Sequence, residues 1–467
     1  MTEIFFTRKI EGSNKNIKCI KCKSRSRINS LHICHCCYDI NSLSANSGNI
    51  NIDNFIKGTR LSSKKQMGEP FFKWVPYEKF RDVEKIGKGG FSQIFKATWK
   101  NFKSKGTVNW SSKREIVLKV LNNSQNVDTE FLNELKQIFQ FNCYEEKIKC
   151  YGVTQDPQTK NYAFVLEYAR NGDLHHFIHT NFEEFKWKKK TNYLINIIEG
   201  IKKIHDEKII HRNLHSCNIL VDDDRQIISD LGFSQPANID SNLSRKSQIY
   251  GIIPYMAPEL FKNQPYSYAS DIYSLGMIMW ELTSGHRPFH DQEHGPKLIL
   301  DILDGKRPEI TEDTPELYAN LTKKCWHPDP SQRLTIRKIY EFSREFNSFA
   351  GSEKFTYDNW LKFKEAEKKR LEMVKSKKPF VKNPGYKHPN SRYYSILLNP
   401  MLESISSTAI SVDFNFNQKN NFENSEHNSS AKNSKKHFLD ELLQEENIED
   451  QNDFKRRKII EYFNECF

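Results

Sequence analysis

Three groups of residues in this chain have the types and spacing to do chemistry. The first is a glycine-rich run, Ile86-Gly87-Lys88-Gly89-Gly90-Phe91-Ser92-Gln93-Ile94, followed by a lysine that closes an apolar, β-branched stretch, Ile116-Val117-Leu118-Lys119. Small residues let backbone N–H groups close over phosphate oxygens, and an ammonium on a stiff strand suits the same anion. The second group is His211-Arg212-Asn213-Leu214-His215-Ser216-Cys217-Asn218 with Ile227-Ile228-Ser229-Asp230-Leu231-Gly232. Asn218 and Asp230 offer hard oxygen donors that suit Mg²⁺ beside a phosphate, since that cation keeps most of its waters and takes few protein ligands. The third is N-terminal: Cys19-Ile20-Lys21-Cys22 and Cys34-His35-Cys36-Cys37 form two C-x-x-C pairs, each able to present two thiolates to one tetrahedral Zn²⁺.

In order and spacing, the first two groups resemble the eukaryotic protein kinase family from about residue 80 to 346. The resemblance implies an ATP site lined by Ile86, Gly87, Gly89, Gly90, Ser92, Ile94 and Val117. Glu167 and Ala169, in the hinge segment Leu166-Glu167-Tyr168-Ala169, would present backbone to the adenine. Lys119 would hold the α and β phosphates and pair with Glu134, on a helix expected over Thr129–Phe139 from apolar residues at 131, 135, 138 and 139. The bland reading of Lys119 and Glu134 is a solvated surface pair. Asp230 and Asn218 would bind Mg²⁺. Ala257-Pro258-Glu259 would close the activation segment, Asp271 would anchor the catalytic-loop backbone, and Arg333 would pair with Glu259. Arg212 would meet a phosphate on Ser241, Ser244, Ser247 or Tyr250, residues that also read as ordinary polar loop. His211, Ile138 and Leu231 fall where the family stacks an apolar regulatory spine.

The departures from the family pattern converge on one spot. Asn213 stands where the family has the aspartate that accepts the substrate hydroxyl's proton, and a neutral carboxamide can only orient that hydroxyl. His215 and Ile252 replace the lysine and threonine that support that base in serine/threonine kinases. Elsewhere Ser92 replaces the third glycine and Val117 the usual alanine of the adenine slot. A positioned base contributes on the order of 10² to 10⁴ in rate, while metal and positioning supply most of phosphoryl transfer. The expectation is an ATP-binding, kinase-like protein with weakened transfer to Ser/Thr hydroxyls, or with dual specificity. The alternative is a catalytically inactive pseudokinase that serves as a nucleotide-dependent signalling scaffold for a protein partner. Trp280-Glu281 and Cys325-Trp326 resemble the tyrosine-kinase-like group, and Tyr255-Met256-Ala257-Pro258-Glu259 resembles serine/threonine kinases.

The expected fold is α+β and bilobal: a small antiparallel sheet lobe with one helix, and a large, mainly helical lobe. Within the latter, Leu194, Ile197, Ile198, Ile201 and Ile204 recur at helical spacing, and Ser270 to Leu282 reads as a buried helix. At 467 residues, with 37% hydrophobic residues and a mean hydropathy of −0.73, the chain has room for substantial polar flanks. The organisation read from sequence is a Cys-rich zinc knuckle over 15–40 and a linker over 41–76 with a docking helix from Ile52 to Leu61. The kinase domain follows over 77–346. A charged, Asn-rich, largely disordered tail over 347–467 would carry short helices near Glu365–Lys378 and Phe438–Phe463. Cys36, His32 and His35 are spare ligand candidates, and reduced thiols in a flexible tail or redox chemistry are the alternatives to zinc. The net charge of +12 raises a nucleic-acid-binding adaptor as a further class, but the positive residues are dispersed and no stacking platform accompanies them. No apolar run approaches the ~18 residues of a membrane span, and no apolar leader opens the chain. A cytoplasmic setting is therefore expected, with Lys455-Arg456-Arg457-Lys458 as a candidate nuclear-import patch.

Overall fold

A computed structural model describes residues 18–20, 32, 47–62, 72–90, 92–102, 112–125, 132, 135–136, 149–230, 235–236, 249–347 and 357–405. The chain divides into two compact units, 1–170 with 227–232, and 171–226 with 233–467.

The first unit contains helix α1 (Ile50–Ser62) and strands β1 (Lys73–Trp74), β2 (Phe80–Lys88), β3 (Ser92–Phe102), β4 (Ser112–Leu121), β5 (Cys150–Gln155) and β6 (Tyr162–Glu167). The strands form one sheet in the order β1-β5-β6-β4-β3-β2. Every pairing is antiparallel except that of β1 with β5. In β4, Ile116, Leu118 and Val120 are buried while Val117 and Lys119 between them are partly exposed. The register pairing Lys119 with Ile94 on one side and Phe164 on the other therefore fixes the face that carries the ammonium. Phe80, Trp99, Ile116, Leu118 and Val165 form one apolar cluster, and Ile52, Ile56, Phe72, Val153 and Phe164 form another. Ile52 and Ile56 lie one turn apart on α1. Asn49 caps that helix, its side chain accepting from the N–H groups of Asn51 (2.9 Å) and Ile52 (3.3 Å). Of the helix expected over 129–139, only Leu132, Leu135 and Lys136 are described, and Leu135 is buried in the second cluster.

The second unit is mainly helical, as expected. Its elements begin with α2 (Leu174–Asn181), α3 (Trp187–Asp206), β7 (Ile209–Ile210) and β8 (Ile219–Asp222). Strand β9 (Arg225–Ile228) then carries the chain into the first unit's 227–232 piece. There follow β10 (Gln235–Pro236), β11 (Tyr250–Gly251), α4 (Pro258–Phe261), α5 (Tyr268–Ser284), α6 (Pro296–Leu303), α7 (Glu316–Cys325), α8 (Ile336–Asn347), α9 (Tyr357–Lys375) and β12 (Ile396–Leu397). Leu194, Ile197, Ile198, Ile201 and Ile204 are all fully buried on α3. Helix α5 is buried on every side from Ser270 to Ser284, which is why its sequence shows no polar stripe. A Ser267–Ser270 capping box starts it, and Gly285, at φ 76°, ends it. A Cβ at Gly285 would come within 2.6 Å of the Phe182 ring, so only glycine fits.

The sequence suggests a polar tail with short helices; its described part, 357–405, is packed. Phe363, Ala366, Arg370 and Met373 share one face of α9 at helical spacing and are buried. Leu398 and Leu402 are buried further on. These few apolar residues are diluted by lysine and glutamate, so an average over the tail conceals them. Glu367 accepts from the Trp187 N–H at 2.9 Å, and Phe363 meets the Trp187 ring at 5.9 Å. Residues 406–467, with the Phe438–Phe463 helix and the Lys455–Lys458 patch read from sequence, lie outside the described residues. No helix among the described residues is long and apolar enough to cross a membrane.

Lys190 is fully buried on α3. Its Nζ donates to the Thr283 carbonyl at 3.1 Å, lies 3.9 Å from Asp313, and sits 4.9 Å over each of the Phe182 and Trp187 rings. Burial pulls this ammonium from the ordinary 10.5 down to about 8, against the opposing charge of Asp313. The folded state thus releases this proton before the unfolded chain does, so its contribution to stability is complete above pH 10.5 and is lost as pH falls through about 8. Lys190→Met removes the cation beside the buried Asp313, leaving it the Trp187 ring N–H and the Thr311 hydroxyl, and we expect it to cost on the order of 3 kcal/mol at pH 7. Urea unfolding should show the gap to wild type widening by a further roughly 2 to 3 kcal/mol by pH 10. A constant gap across that range would contradict this placement.

Candidate functional site

The glycine-rich run is the turn between β2 and β3. Gly87 and Lys88 remain paired with Ile94 and Gln93, and the Gly89 N–H donates to the Ser92 carbonyl at 2.8 Å to close the loop. Ser92 is buried, Ile86 is exposed, and Val117 and Lys119 share one face of β4. Lys119 forms an ion pair with Asp230, the two side chains retaining 15% and 24% of their exposure. Each charge is thus neutralised yet still reachable. Asp230 adopts φ 60°, the left-handed region that non-glycine residues rarely occupy and that concentrates at functional sites. Glu167 ends β6, its N–H donating to the Lys149 carbonyl at 2.8 Å and its carboxylate 3.8 Å from Arg114; Ala169 beyond it is buried. Glu134, Ile138 and Leu231 lie outside the described residues.

In the second unit the loop His211–Asn218 hangs from a carboxylate. Asp271, on α5 and 1% exposed, accepts from the backbone N–H groups of His211 (2.8 Å) and Arg212 (3.0 Å) and from the His205 ring (2.9 Å). Arg212 is thereby held at φ 68° with its guanidinium 4.3 Å over the Tyr266 ring, and the Tyr266 hydroxyl donates to the Tyr250 carbonyl at 2.8 Å. Asn213 is buried; its N–H donates to His211 Nδ1 at 3.3 Å, and its carbonyl accepts from Asn218 Nδ2 at 2.8 Å. That bond occupies the nitrogen end of the Asn218 carboxamide and makes its oxygen the end a cation would take. Asn213 Oδ1 accepts from the Ser395 hydroxyl at 3.0 Å. A small cleft lies beside it, lined by Arg212, His215, Gly251, Ile252, Tyr255 and Tyr266. His215 and Ile252 are both buried.

A second carboxylate on α5 holds the segment that leads into α4. Glu281, fully buried, accepts from the Tyr255 hydroxyl at 2.6 Å and pairs with His175 Nδ1 at 2.8 Å. Burial alone would raise the Glu281 carboxyl; the His175 and Tyr255 hydrogen bonds and the charge of Arg287 outweigh it and hold the group below its ordinary range. Tyr255 in turn lies 3.2 Å from Ser216 Oγ, and Ser274 donates to its carbonyl at 2.7 Å. Arg333 reaches both Glu259 oxygens at 2.7 Å, the pairing expected from the sequence.

Within the first unit, the Asp230 carboxylate is an oxygen donor of the kind Mg²⁺ takes and the Lys119 ammonium suits a polyphosphate, so these residues fit Mg²⁺ and ATP; within the second, the Asn218 carboxamide oxygen is a donor of the same kind. Of the four zinc candidates, Cys19 is buried and Cys22, Cys34 and Cys37 lie outside the described residues. No group of three or more His, Cys, Asp or Glu side chains able to hold a metal occurs among the described residues. The sequence reading missed Tyr266 as the platform for Arg212 and Ser395 as a partner of Asn213. The latter had one legible signal: Ile396-Leu397-Leu398 is an apolar run inside an otherwise polar segment.

Residues 80–342 match the family model described as protein tyrosine and serine/threonine kinase. The chain is 31% identical over 270 residues to a protein of Acanthamoeba polyphaga mimivirus of the serine/threonine-protein kinase/receptor type, covering 57% of this chain and 15% of that one. It is 28% identical over 273 residues to stress-activated protein kinase alpha of Dictyostelium discoideum, covering 55% and 40%. It is 25% identical over 275 residues to mitogen-activated protein kinase kinase kinase 7 of Bos taurus, covering 57% and 44%. In each case the match spans less than half the length of the relative.

Asp271→Asn replaces one acceptor oxygen by an NH₂ group, which leaves a buried N–H of His211 or Arg212 facing a donor. The expected cost is about 2 to 4 kcal/mol, together with amide exchange at 211 and 212 accelerated beyond that of the α3 core. Unchanged protection of these two amides would show that the loop is held by something else.

Proposed function

Because the chain belongs to the protein tyrosine and serine/threonine kinase family, we propose that it binds ATP with Mg²⁺ through Lys119, Asp230 and Asn218 and transfers phosphate to protein Ser/Thr hydroxyls only slowly. The observation that carries this reading is the environment of Asn213. The supporting framework of Asp271, His211 and Asn218 is intact around it, yet the side chain is a carboxamide whose oxygen accepts a hydroxyl hydrogen bond. A carboxamide accepts such a bond without taking the proton, so the hydroxyl is oriented but not activated. Bound Mg²⁺–ATP supplies the transferable phosphoryl group and screens its charge. In this reading Lys119 holds the phosphates and Asp230 its metal, while Glu167 and Ala169 present backbone to the base. The names of the relatives support serine/threonine rather than tyrosine acceptors. The placement of Trp280-Glu281 within the buried α5 is compatible with the tyrosine-kinase-like branch.

A silent, nucleotide-dependent scaffold is the second reading. It draws on the replacement of both supporting polar groups by a buried imidazole at His215 and a buried alkyl side chain at Ile252, neither of which is the lysine ammonium or threonine hydroxyl of the family pattern. The two separate by experiment. MgATP should raise the unfolding temperature of wild type, by about 2.7 kcal/mol of stabilisation at a hundredfold excess over Kd, and Lys119→Ala should abolish most of that shift. In a γ-phosphoryl transfer assay on a general protein substrate, Asn213→Asp should raise a weak wild-type rate by about 10² to 10⁴. Silence in both chains with the thermal shift retained would support the scaffold. Absence of any MgATP shift in wild type would refute nucleotide binding.

A further inference from the structure

The tail returns to the loop that the preceding reading makes catalytic. Strand β12 pairs antiparallel with β11, placing Leu397 opposite Tyr250 and Ile396 opposite Gly251. The ladder continues past the strand ends: the Leu398 N–H donates to the Ile249 carbonyl at 2.8 Å, and the Ile249 N–H donates to the Asn399 side chain at 2.6 Å. One residue before the strand, the Ser395 hydroxyl donates to Asn213 Oδ1 at 3.0 Å. The segment leading in is also tied down. His388 N–H donates to the His290 carbonyl at 3.0 Å, Arg392 N–H to His294 Nδ1 at 3.0 Å, and the Tyr393 hydroxyl to the Pro288 carbonyl at 2.9 Å, with Arg287 stacked 4.7 Å over the Tyr393 ring. After it, Leu398 is fully buried and Leu402 nearly so.

We propose that Ile249–Gly251 together with Asn213 forms a docking site for an extended, hydroxyl-bearing peptide, and that this chain's own Ser395–Asn399 is its resident occupant, closing the site to other protein substrates. Strand addition to an exposed edge is a general way of binding an extended peptide. Main-chain bonds supply affinity, and side-chain pockets at chosen positions supply specificity. Here the main-chain bonds lie at 249–251. The hydroxyl requirement lies at Asn213, and the apolar requirement lies at the third residue after the serine, where Leu398 is buried. Gly251 suits this edge because a Cβ there would approach Met256 Sδ to 2.4 Å, so the strand lies directly on that side chain. The class of ligand is therefore an extended Ser or Thr peptide with aliphatic residues following the hydroxyl. Ser395 is held by a group that does not accept its proton, so it rests in the site without being consumed. The occupant is covalently attached, and any competing peptide binds only the fraction of molecules whose tail is released.

This inference rests on the kinase reading for the identity of the site, but its test does not depend on catalysis. Two full-length variants loosen the strap: Leu398→Pro deletes the N–H that donates to Ile249, and Asn399→Ala deletes the acceptor for the Ile249 N–H, a milder change at a residue outside the buried core. Amide exchange at Ile249 and Gly251 should accelerate in both. A fluorescent peptide with the sequence of residues 391–402 should bind both at least about tenfold tighter than it binds wild type. The same peptide with alanine for the central serine should bind them several-fold more weakly. The MgATP thermal shift should persist in both variants; its loss in wild type would fault the kinase reading, not this one. Accelerated exchange without any gain in peptide affinity would overturn the proposal, as would unchanged protection at 249 and 251.

Discussion

The arrangement depends first on the Asp271 carboxylate. It lies on a helix that is buried on all sides, where an unpaired charge would be strongly disfavoured. It is tolerated because both oxygens are used: one faces Arg212 N–H, the other His211 N–H and the His205 ring. The same bonds hold Arg212 in left-handed backbone, a conformation that costs of order 1 to 2 kcal/mol for an L-residue and persists only where its surroundings over-determine it. Residues 213 to 218 start from that fixed point. Ten residues later on the same helix, about 15 Å along the axis, Glu281 performs the matching task for Tyr255 and hence for the segment that leads into α4. One rigid helix thus sets the positions of both the loop and the strand edge beside it.

Arg333 shows the same logic with the charge reversed. Its guanidinium is buried, and all five N–H donors are used: two on Glu259, and one each on the carbonyls of His327, Ala269 and Pro328. A lysine could satisfy neither the fork geometry nor the number of acceptors. The pair is well compensated because nothing in it is left unbonded, the condition under which a buried ion pair can be carried without penalty. It also ties the start of α4 to the residues just ahead of α8, which are distant in sequence.

Much of this was legible before any coordinates. The Leu194–Ile204 stripe announced a buried helix through its periodicity, and the buried helix over Ser270–Leu282 and the Glu259–Arg333 pairing followed from the resemblance to kinases. Other features were hidden for physical reasons. Tyr266 is an aromatic residue in a loop, and no local pattern says that a guanidinium will stack on it. Glu281 reads as one polar residue in an apolar helix, and its partners His175 and Tyr255 lie 106 and 26 residues away in sequence. The tail was obscured most: α9 buries only every third or fourth residue, and β12 is two residues long, so composition averaged over the segment reports its solvent face. Short strands that depend on a partner edge carry their signal in the partner.

The replacement at position 213 has a structural consequence separate from catalysis. An aspartate buried there would need a cation or several donors to offset desolvation, and among the described residues the side chain is met by one hydroxyl, that of Ser395. A neutral carboxamide needs far less. Its backbone groups are already engaged by His211 and Asn218, so a single hydroxyl is enough to satisfy the oxygen without leaving a buried charge. Asparagine therefore stabilises the state in which the tail strand covers the loop, whereas aspartate would favour a state in which water or a substrate reaches it. On the proposed reading, the same exchange of oxygen for nitrogen both lowers the basicity of position 213 and favours its contact with Ser395.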